Sequence, residues 1–571
     1  MIAHSAPPPS APVLVVGAGP VGLTLALALA RQGVPSVVLD EGQGGAEPRP
    51  ARTVVLHPDT AALITRITGG GFDRLGLRWS GWRALRGRRT AFEATFETTF
   101  GTSHGTADGG ARSGDGAPLH LPQHALTGAL RAAAVREPLV TLVPESRLDA
   151  LEQDASQVRA RARSAHGTWW QGTHLVGCDG ARSTVRKLLD IRFPGRTAVE
   201  RHAVATLRVD LPLPGTATLH RTPPWRSSAP FAGEVVGRPL PDGAWRLDWL
   251  MPPPRDPAAD LVTADVLVAL VRETLAGWDD SDLPPPYELL DTGVHTVHHR
   301  LARRWRRGRA FLAGDAAHLL GSLGGQGLEE GLRDAENLAW KLAFVRRGKA
   351  PEALLDTYQA ERRAAVSGRL RAADQALPIL RGGGLRSYVP GTARAQDALL
   401  VDGHLGRGAL GGPGRYGSSP LMPTPTDADV VVDTAPGELV HDARVTAEDG
   451  STTGLWERLD RGTLSVVLVA PGTGVWERRH WAGAGIMPAL AEAVRTLPAP
   501  AELLVTEAYP GAPAHTVLLV RPDGRLVTAL SGVRPQQLRA AAEAATGGNL
   551  TVPGPATPEP ETERAGARQV S

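Results

Sequence analysis

Cysteine is almost absent, because the 571-residue sequence contains only one, Cys178. A single thiol excludes a framework of internal disulfides and any zinc site built from several cysteines. A chain that does not depend on disulfides is compatible with a reducing compartment. We therefore expect a cytoplasmic protein that binds no metal ion.

An excess of charge is also missing, since 62 Lys and Arg residues face 59 Asp and Glu residues, for a net charge of +3. Proteins that bind nucleic acid or an anionic membrane usually have a strongly basic surface. The most apolar stretch, residues 13–30, is interrupted by three glycines and a proline and is a poor membrane span. We predict no nucleic-acid or membrane partner, and we expect a monomer or homodimer that acts on a small molecule.

The first chemical motif lies in a predicted strand–turn–helix–strand segment, with strands at 13–16 and 36–39 and a helix at 21–32. The turn has the sequence Gly17-Ala18-Gly19-Pro20-Val21-Gly22. Glycines at this spacing allow a tight turn and bring backbone amides close to a pyrophosphate at a helix N-terminus. Asp40, at the end of the second strand, is placed to accept hydrogen bonds from ribose hydroxyls. The segment predicts dinucleotide binding but does not distinguish FAD from NAD.

Two further motifs follow in the sequence. The second is Cys178-Asp179-Gly180-Ala181-Arg182-Ser183, after a predicted strand. The third is Gly314-Asp315-Ala316-Ala317-His318, followed by Gly324-Gly325-Gln326-Gly327 and a predicted helix at 328–347. With these three motifs in this order, the chain resembles the single-component flavoprotein monooxygenases, in particular the FAD-dependent aromatic hydroxylases of phenols and aromatic polyketides.

The resemblance implies a set of FAD-binding residues. They are Gly17, Gly19, Pro20, Val21, Gly22, Asp40, Glu41, Arg52, Gln123, Asp179, Gly180, Gly314, Asp315, Gly325, Gln326, Gly327 and Leu328. In this comparison Asp40 holds the adenosine ribose, Arg52 approaches the phosphates, Gln123 contacts the flavin and Asp315 binds the ribityl chain. The resemblance further implies that NADPH or NADH docks transiently, at a motif that includes Asp179, without a domain of its own. Consistently, no second Gly-x-Gly-x-x-Gly stands at a strand–helix junction.

The resemblance also implies an α/β fold. It consists of a Rossmann-type FAD-binding domain like that of para-hydroxybenzoate hydroxylase, an inserted β-sheet domain for the substrate, and a C-terminal thioredoxin-like α/β domain. The C-terminal part has no Cys-x-x-Cys, which excludes thiol–disulfide exchange. The predicted boundaries are disordered tails at 1–12 and 551–571, the FAD-binding domain at 13–80, 119–194 and 298–380, the substrate domain at 81–118 and 195–297, a linker at 381–427 and the thioredoxin-like domain at 428–550.

The sequence departs from the family where the flavin would react. Gly321-Ser322 stands in place of a usual Pro-Pro pair, and Glu329 in place of an asparagine. Ser322, Gly324, Gly325 and Glu329 are the predicted catalytic positions. Two interpretations of Glu329 stay open: a proton carrier whose pKa is raised by burial, or a solvated carboxylate in the first turn of a helix.

The activity implied by the resemblance is hydroxylation of an aromatic or polyketide-type compound. The reaction consumes NAD(P)H and O2 and passes through a flavin C4a-hydroperoxide, while the protein orients the substrate and excludes water. Two enzymatic alternatives are Baeyer–Villiger oxidation of a ketone and a flavin oxidase or dehydrogenase that inserts no oxygen. A non-catalytic flavin-binding scaffold is a third alternative, which the three retained motifs disfavour.

Overall fold

The computed structural model describes residues 11–45, 48–87, 89–96, 116–163, 168–221, 234–251, 263–278, 284–321, 327–381, 390–473 and 483–550. The predicted tail at 551–571 and most of the one at 1–12 lie outside these residues, as does most of 97–118. In chain order, the strands are β1 (Val13–Val16), β2 (Ser36–Leu39), β3 (Thr53–Leu56), β4 (Leu77–Arg78), β5 (Gly81–Arg86), β6 (Arg89–Thr95), β7 (Leu119–Pro122), β8 (Val140–Val143), β9 (Arg147–Gln153), β10 (Val158–Arg163), β11 (Thr168–Gly172), β12 (His174–Gly177), β13 (Gly195–Val209), β14 (Thr216–Arg221), β15 (Glu234–Pro239), β16 (Ala244–Met251), β17 (Tyr287–Leu301), β18 (Arg306–Arg307), β19 (Ala310–Leu312), β20 (His318–Leu320), β21 (Arg444–Ala447), β22 (Thr452–Gly454), β23 (Leu464–Val469), β24 (Ala501–Thr506), β25 (Thr516–Val520) and β26 (Leu526–Ser531).

The α-helices in the same residues are α1 (Pro20–Arg31), α2 (Pro58–Thr68), α3 (Gln123–Arg136), α4 (Thr184–Leu188), α5 (Ala264–Trp278), α6 (Gly327–Arg346), α7 (Asp356–Tyr358), α8 (Ala364–Arg381), α9 (Pro390–His404), α10 (Gly408–Gly411), α11 (Met487–Arg495) and α12 (Pro535–Ala545). A π-helical turn, Gln359–Arg363, joins α7 to α8. Among the described helices, none combines the length and the apolar run needed to cross a bilayer.

The N-terminal sheet has the strand order β18-β19-β12-β1-β2-β8 and is parallel except for its β18 edge. The predicted strands 13–16 and 36–39 are confirmed as β1 and β2, which pair in register from Val13 with Ser36. Helix α1 begins one residue before the prediction, at Pro20, because proline fits the first position of a helix. Residues Gly22 to Ala30 of α1 are all buried, and the helix packs against α6 in the main hydrophobic core.

A second, eight-stranded sheet has the order β20-β17-β13-β16-β15-β14-β5-β6 and is antiparallel apart from the β14–β5 pair. Strands from both predicted parts of the substrate domain therefore lie in one sheet. The predicted boundary at 297 is too early, because β17 continues to Leu301 and pairs there with β20, residues 318–320. The segment that follows the third motif is thus hydrogen-bonded directly to the eight-stranded sheet.

The segment 381–427 was predicted to be a linker. This prediction is wrong for residues 390–427, because these residues contain α9 and α10. Leu400, Val401 and Leu405 pack with Trp79 and Trp82 in one apolar cluster. Asp397 forms ion pairs with two arginines of the eight-stranded sheet, Arg86 at 2.9 Å and Arg221 at 3.2 Å. The glycine- and proline-rich composition predicted flexibility, but burial of the apolar face of α9 against the sheet stabilises a helix instead.

The C-terminal sheet has the order β22-β21-β24-β23-β25-β26, in which β23 and β24 are parallel and β25 and β26 form an antiparallel pair. Its resemblance to thioredoxin stays a prediction. Trp340, Phe344 and Leu354, from α6 and the turn after it, belong to the same buried cluster as Val466 and Leu519. The C-terminal unit therefore shares a core with the rest of the chain.

Candidate active site

Two cavities meet at the loops that contain the first two motifs. The outer pocket, of about 570 Å³, is lined by Gly17, Asp40 and Asp179 among other residues. The central cleft, of about 530 Å³, extends from the loops to the eight-stranded sheet. Gly19 and Gly180 line both cavities, so a ligand of two linked parts can occupy them together.

The glycine turn before α1 has the geometry that a pyrophosphate requires. Gly17 has φ +104°, and a Cβ there would lie 2.5 Å from the carbonyl oxygen of Cys178. A Cβ at Gly22 would lie 2.0 Å from the carbonyl oxygen of Gly17, so this glycine is required by packing. At Gly19, by contrast, a Cβ would meet no atom within 4 Å and would enter the cavity itself. The helix N-terminus beside Gly19 has no side-chain cap, so its amides can bind the phosphates of FAD.

Asp40 is fixed to this turn. One of its carboxylate oxygens accepts a hydrogen bond from the amide of Ala18 at 2.7 Å, and the other accepts one from the amide of Gly42 at 3.0 Å. Asp40 and Glu41 line the outer pocket together with Arg147. The structure thus brings the predicted ribose acceptor next to the predicted pyrophosphate site.

Asp179 lines the outer pocket and also forms hydrogen bonds within its own loop, and its contact with the cofactors stays a prediction. Its carboxylate accepts hydrogen bonds from the Ser183 hydroxyl at 2.5 Å and from the Thr184 and Val185 amides at 2.6 and 3.0 Å. These are the donors at the start of α4, and the carboxylate is engaged in capping this helix. Asp179 therefore positions the loop, while Gly180, with φ +75° and no atom within 4 Å of an added Cβ, leaves open space for a ligand.

Asp315 lines the central cleft. The cleft is also lined by Gln123, Gly327 and Leu328, together with Pro20 and Val21 of the first motif. Burial raises the pKa of Asp315, and electrostatic interactions with His318 and Arg52 oppose this rise. The structure therefore brings Arg52, Gln123 and the third motif together, as the resemblance implies.

A buried charge network supports the third motif from below. Asp334 accepts hydrogen bonds from the amide of Gly314 at 3.0 Å and from Arg362 at 2.8 Å, and it bonds to His318 Nε2 at 2.8 Å. Arg362 also donates to Glu330 at 2.5 Å. Because this network joins α6 and Arg362 to the loop at Gly314 and to His318, it fixes the conformation of that loop before any ligand binds.

Both interpretations of Glu329 are wrong. Glu329 is fully buried, so it is not a solvated carboxylate. It accepts hydrogen bonds from the His57 amide at 2.8 Å and from the Thr60 hydroxyl at 2.6 Å, and it pairs with His57 Nδ1 at 2.6 Å. Burial opposes ionisation, but the charge and hydrogen bonds of His57 outweigh it and lower the pKa of Glu329 to about 2. Glu329 is thus a permanent anion that joins α6 to the start of α2.

Four of the predicted residues lie outside the part of the chain that the structure describes: Ser322, Gly324, Gly325 and Gln326. Their described neighbours, Gly321 and Gly327, both line the central cleft. The roles of the four residues stay predictions.

The far wall of the cleft is polar and was not predicted from the sequence. It contains His202, Arg238, Arg246, Asp248 and His295 from the eight-stranded sheet and His404 from α9. His202 and His295 are direct cross-strand partners whose rings stack at 5.1 Å. Two-residue alternation along β13, β16 and β17 would have placed some of these residues on one face, but no short motif marks them.

His202, Asp248 and His295 also have ligand atoms close enough together for a metal ion. Two guanidinium groups adjoin them, however: Arg246 donates to Asp248 Oδ2 at 3.0 Å, and Arg238 lies 3.8 Å from the same oxygen. Asp248 Oδ1 pairs with His202 Nδ1 at 2.6 Å. Because cations already surround this carboxylate, the cluster is a poor cation site.

The family model described as an FAD binding domain matches residues 10–373. A 3-(3-hydroxy-phenyl)propionate/3-hydroxycinnamic acid hydroxylase from Mycobacterium sp. (strain JLS) is 33% identical over 358 residues, which cover 62% of this chain and 57% of the relative. The chain thus matches little more than half the length of this relative. Among solved structures, the OxyS anhydrotetracycline hydroxylase from Streptomyces rimosus has a TM-score of 0.64 and 27% identity over 94% of this chain and 99% of that one.

A ternary complex of aklavinone-11 hydroxylase with FAD and aklavinone has a TM-score of 0.68 at 23% identity, with 94% of this chain and 99% of that one covered, and shows the fold alone. These comparisons confirm the predicted mixed α/β fold with an FAD-binding architecture. Since the family model matches more than half of the sequence, the protein belongs to the family described as an FAD binding domain.

Proposed function

We propose that the chain is an NAD(P)H-consuming FAD monooxygenase that hydroxylates an aromatic compound of phenol or polyketide type. One observation carries this proposal: a single cleft of about 530 Å³ is lined by the predicted flavin-binding residues on one side and by the polar face of the eight-stranded sheet on the other. Small-molecule sites usually have volumes of about 300–1,000 Å³. A cofactor ring and an aromatic substrate can therefore face each other there.

The names of the similar proteins support the same activity. The relatives include hydroxylases of a hydroxyphenyl acid and of anhydrotetracycline. The proposed reaction takes one O2 and one NAD(P)H, places one oxygen atom in a C–H bond of the substrate, and reduces the other oxygen atom to water. When FAD is bound, it supplies the electron transfer and oxygen activation that side chains lack.

The residues of this chain have three tasks in the proposed reaction. The amides at Gly19 and the N-terminus of α1 bind the cofactor phosphates. Asp315, held in place by the network under Gly314, orients the chain that links the phosphates to the flavin. Leu250, Val297 and Leu400 provide apolar surface in the cleft, which excludes water and packs against an aromatic ring.

Coupling between NAD(P)H oxidation and product formation tests the proposal. The FAD-loaded chain would be mixed with NADPH or NADH, then with 3-(3-hydroxyphenyl)propionate, 3-hydroxycinnamate, naphthols and hydroxyanthraquinones, while O2 uptake and peroxide release are recorded. We expect at least one phenol to accelerate NAD(P)H oxidation and to yield about one hydroxylated product per O2. O2 uptake without NAD(P)H oxidation, with a dehydrogenated product and one peroxide per O2, would contradict the proposal and favour an oxidase.

The same assay needs a control for the bound cofactor. In Gly17→Val the new side chain collides with the Cys178 carbonyl, so this variant should lose FAD and all phenol-dependent oxidation. Product formation by a flavin-free preparation of this variant would show that the observed activity does not belong to the proposed site.

A further inference from the structure

The polar wall of the cleft contains more positive charge than its carboxylate can neutralise. Arg238 and Arg246 both approach Asp248, and each of these three side chains is largely buried. Burial lowers the pKa of His295 to about 4 and that of His404 to about 3, so both imidazoles are neutral at physiological pH. Within this group, two guanidinium charges therefore face one carboxylate.

Asp248 is a better partner for Arg246 than for Arg238. Its Oδ2 accepts a hydrogen bond from Arg246 at 3.0 Å, while Arg238 stays 3.8 Å away. Arg246 has further partners in the carbonyl of Ala51 at 2.8 Å and the hydroxyl of Thr53 at 3.1 Å. Arg246 is thus a fixed structural cation.

Arg238 has weaker partners. Its guanidinium donates to the neutral ring of His404 at 3.3 Å, and among the described residues it forms an ion pair with Asp248 alone. Burial lowers the pKa of Arg238 to about 10, although the charge of Asp248 opposes this change. A guanidinium has five N–H donors in a planar fork, which matches the two oxygens of a carboxylate or an ionised hydroxyl beside a carbonyl.

Glu234 also lines the cleft and belongs to a neighbouring group of ion pairs. It lies 3.6 Å from Arg221, which also pairs with Asp397, and Asp397 pairs with Arg86. Among these arginines of the described wall and its neighbouring group, Arg238 has the most distant counter-charge, at 3.8 Å.

We propose that Arg238 binds an anionic oxygen of the substrate, either a carboxylate or an ionised hydroxyl, and so selects acidic aromatic substrates. This inference rests on the proposed function, because it takes the cleft to be the substrate site. A buried cation without a close partner is costly, and a substrate anion removes that cost on binding. The position of His404 beside Arg238 adds α9 to the binding site.

Binding to the FAD-loaded protein tests the inference without turnover. The probes are 3-(3-hydroxyphenyl)propionate, its neutral primary amide, and alizarin, whose absorption spectrum changes when its hydroxyl ionises. Dissociation constants come from the change in flavin absorbance or, for alizarin, from its own spectrum. We expect the acid to bind about 10- to 100-fold more tightly than the amide, or bound alizarin to be ionised at a pH where free alizarin is not.

Variants assign the effect to Arg238. Arg238→Gln should remove this preference, and Arg238→Lys should restore most of it for a carboxylate. Arg208→Gln, which changes an exposed arginine of the same sheet, should leave it unchanged. The flavin spectrum and melting temperature of each variant verify folding, and the acid-versus-amide comparison in the unaltered protein needs no variant.

If Arg238→Gln loses only the preference for the acid over the amide, the ligand of Arg238 is a carboxylate. If the variant loses only the ionisation of bound alizarin, the ligand is an ionised hydroxyl. Equal binding of acid and amide together with un-ionised bound alizarin would overturn the inference, and hydroxylation of neutral phenols would still support the proposed function. If anion binding depended on Arg238 but no substrate were oxygenated, the inference about Arg238 would be supported and the proposed monooxygenase activity would be refuted.

Discussion

Replacing Glu329 by glutamine tests how the start of α6 is held beside the cleft. The substitution keeps the size of the side chain but removes the charge that pairs with His57 and accepts from Thr60. Each charged hydrogen bond contributes about 1.5–3 kcal/mol, and loss of one partner of a buried ion pair costs about 3–5 kcal/mol. Because the amide oxygen of glutamine retains one acceptor, we expect a loss of about 3 kcal/mol in the free energy of unfolding.

The pKa of Glu329 gives this loss a definite pH dependence. Its ordinary value of 4.5 falls to about 2 in the folded chain. A carboxylate with a lowered pKa stabilises the fold above its ordinary pKa, and this contribution is lost as the pH falls through the folded value. The difference between the original protein and Glu329→Gln should therefore be full at pH 7 and should decrease below about pH 4.5.

Urea unfolding followed by tryptophan fluorescence measures this difference, with Glu93→Gln, the same change at an exposed position of β6, as the control. The control should stay within about 0.5 kcal/mol of the original protein. If Glu329→Gln were as stable as the control at pH 7, or if its deficit were unchanged at pH 3, the interpretation of Glu329 as a buried structural anion would be refuted.

Three further predictions concern other parts of the molecule. Burial and the charge of Asp460 raise the pKa of Glu336 to about 8. The contribution of Glu336 to the stability of the fold should therefore decline as the pH rises from about 5 to 8. The variant Glu336→Gln should flatten the pH profile of the melting temperature in that interval. Arg521→Met removes the cation between Glu361 and Asp523, with Glu361 left fully buried, and should cost about 3–5 kcal/mol in urea unfolding, whereas Arg495→Met on the surface of α11 should cost little. Asp179→Asn should destabilise the start of α4 by about 1 kcal/mol and leave the affinity for FAD, measured by fluorescence titration, nearly unchanged; a large loss of FAD affinity would restore a direct ligand role to its carboxylate.

The sequence predicts the local elements of this fold well. The strands at 13–16 and 36–39 have the predicted bounds, because short apolar runs mark them, and α1 begins within one residue of its predicted start. The order of the three motifs likewise predicts which loops meet at the cavities. These features depend on residues close together in the sequence.

The parts that escaped prediction depend on distant residues. Glu329 looks like an ordinary first-turn glutamate until the fold brings His57, which lies 272 positions away, to its side chain. Likewise, α9 lies in a segment of loop-like composition, and its burial against Trp82 determines its structure. The same holds for the polar wall of the cleft, since Arg238, Asp248 and His404 converge from two strands and a helix without any shared motif.

The most direct test of the central claim is to supply ¹⁸O2 to the FAD-loaded chain with NAD(P)H and the phenol that best stimulates oxidation, and to weigh the product by mass spectrometry. The proposed monooxygenase predicts a product that gains one ¹⁸O atom, placed on the aromatic ring by fragmentation. A product that loses two hydrogens and contains no label would contradict it, and one labelled atom within a new ester would show Baeyer–Villiger oxidation instead.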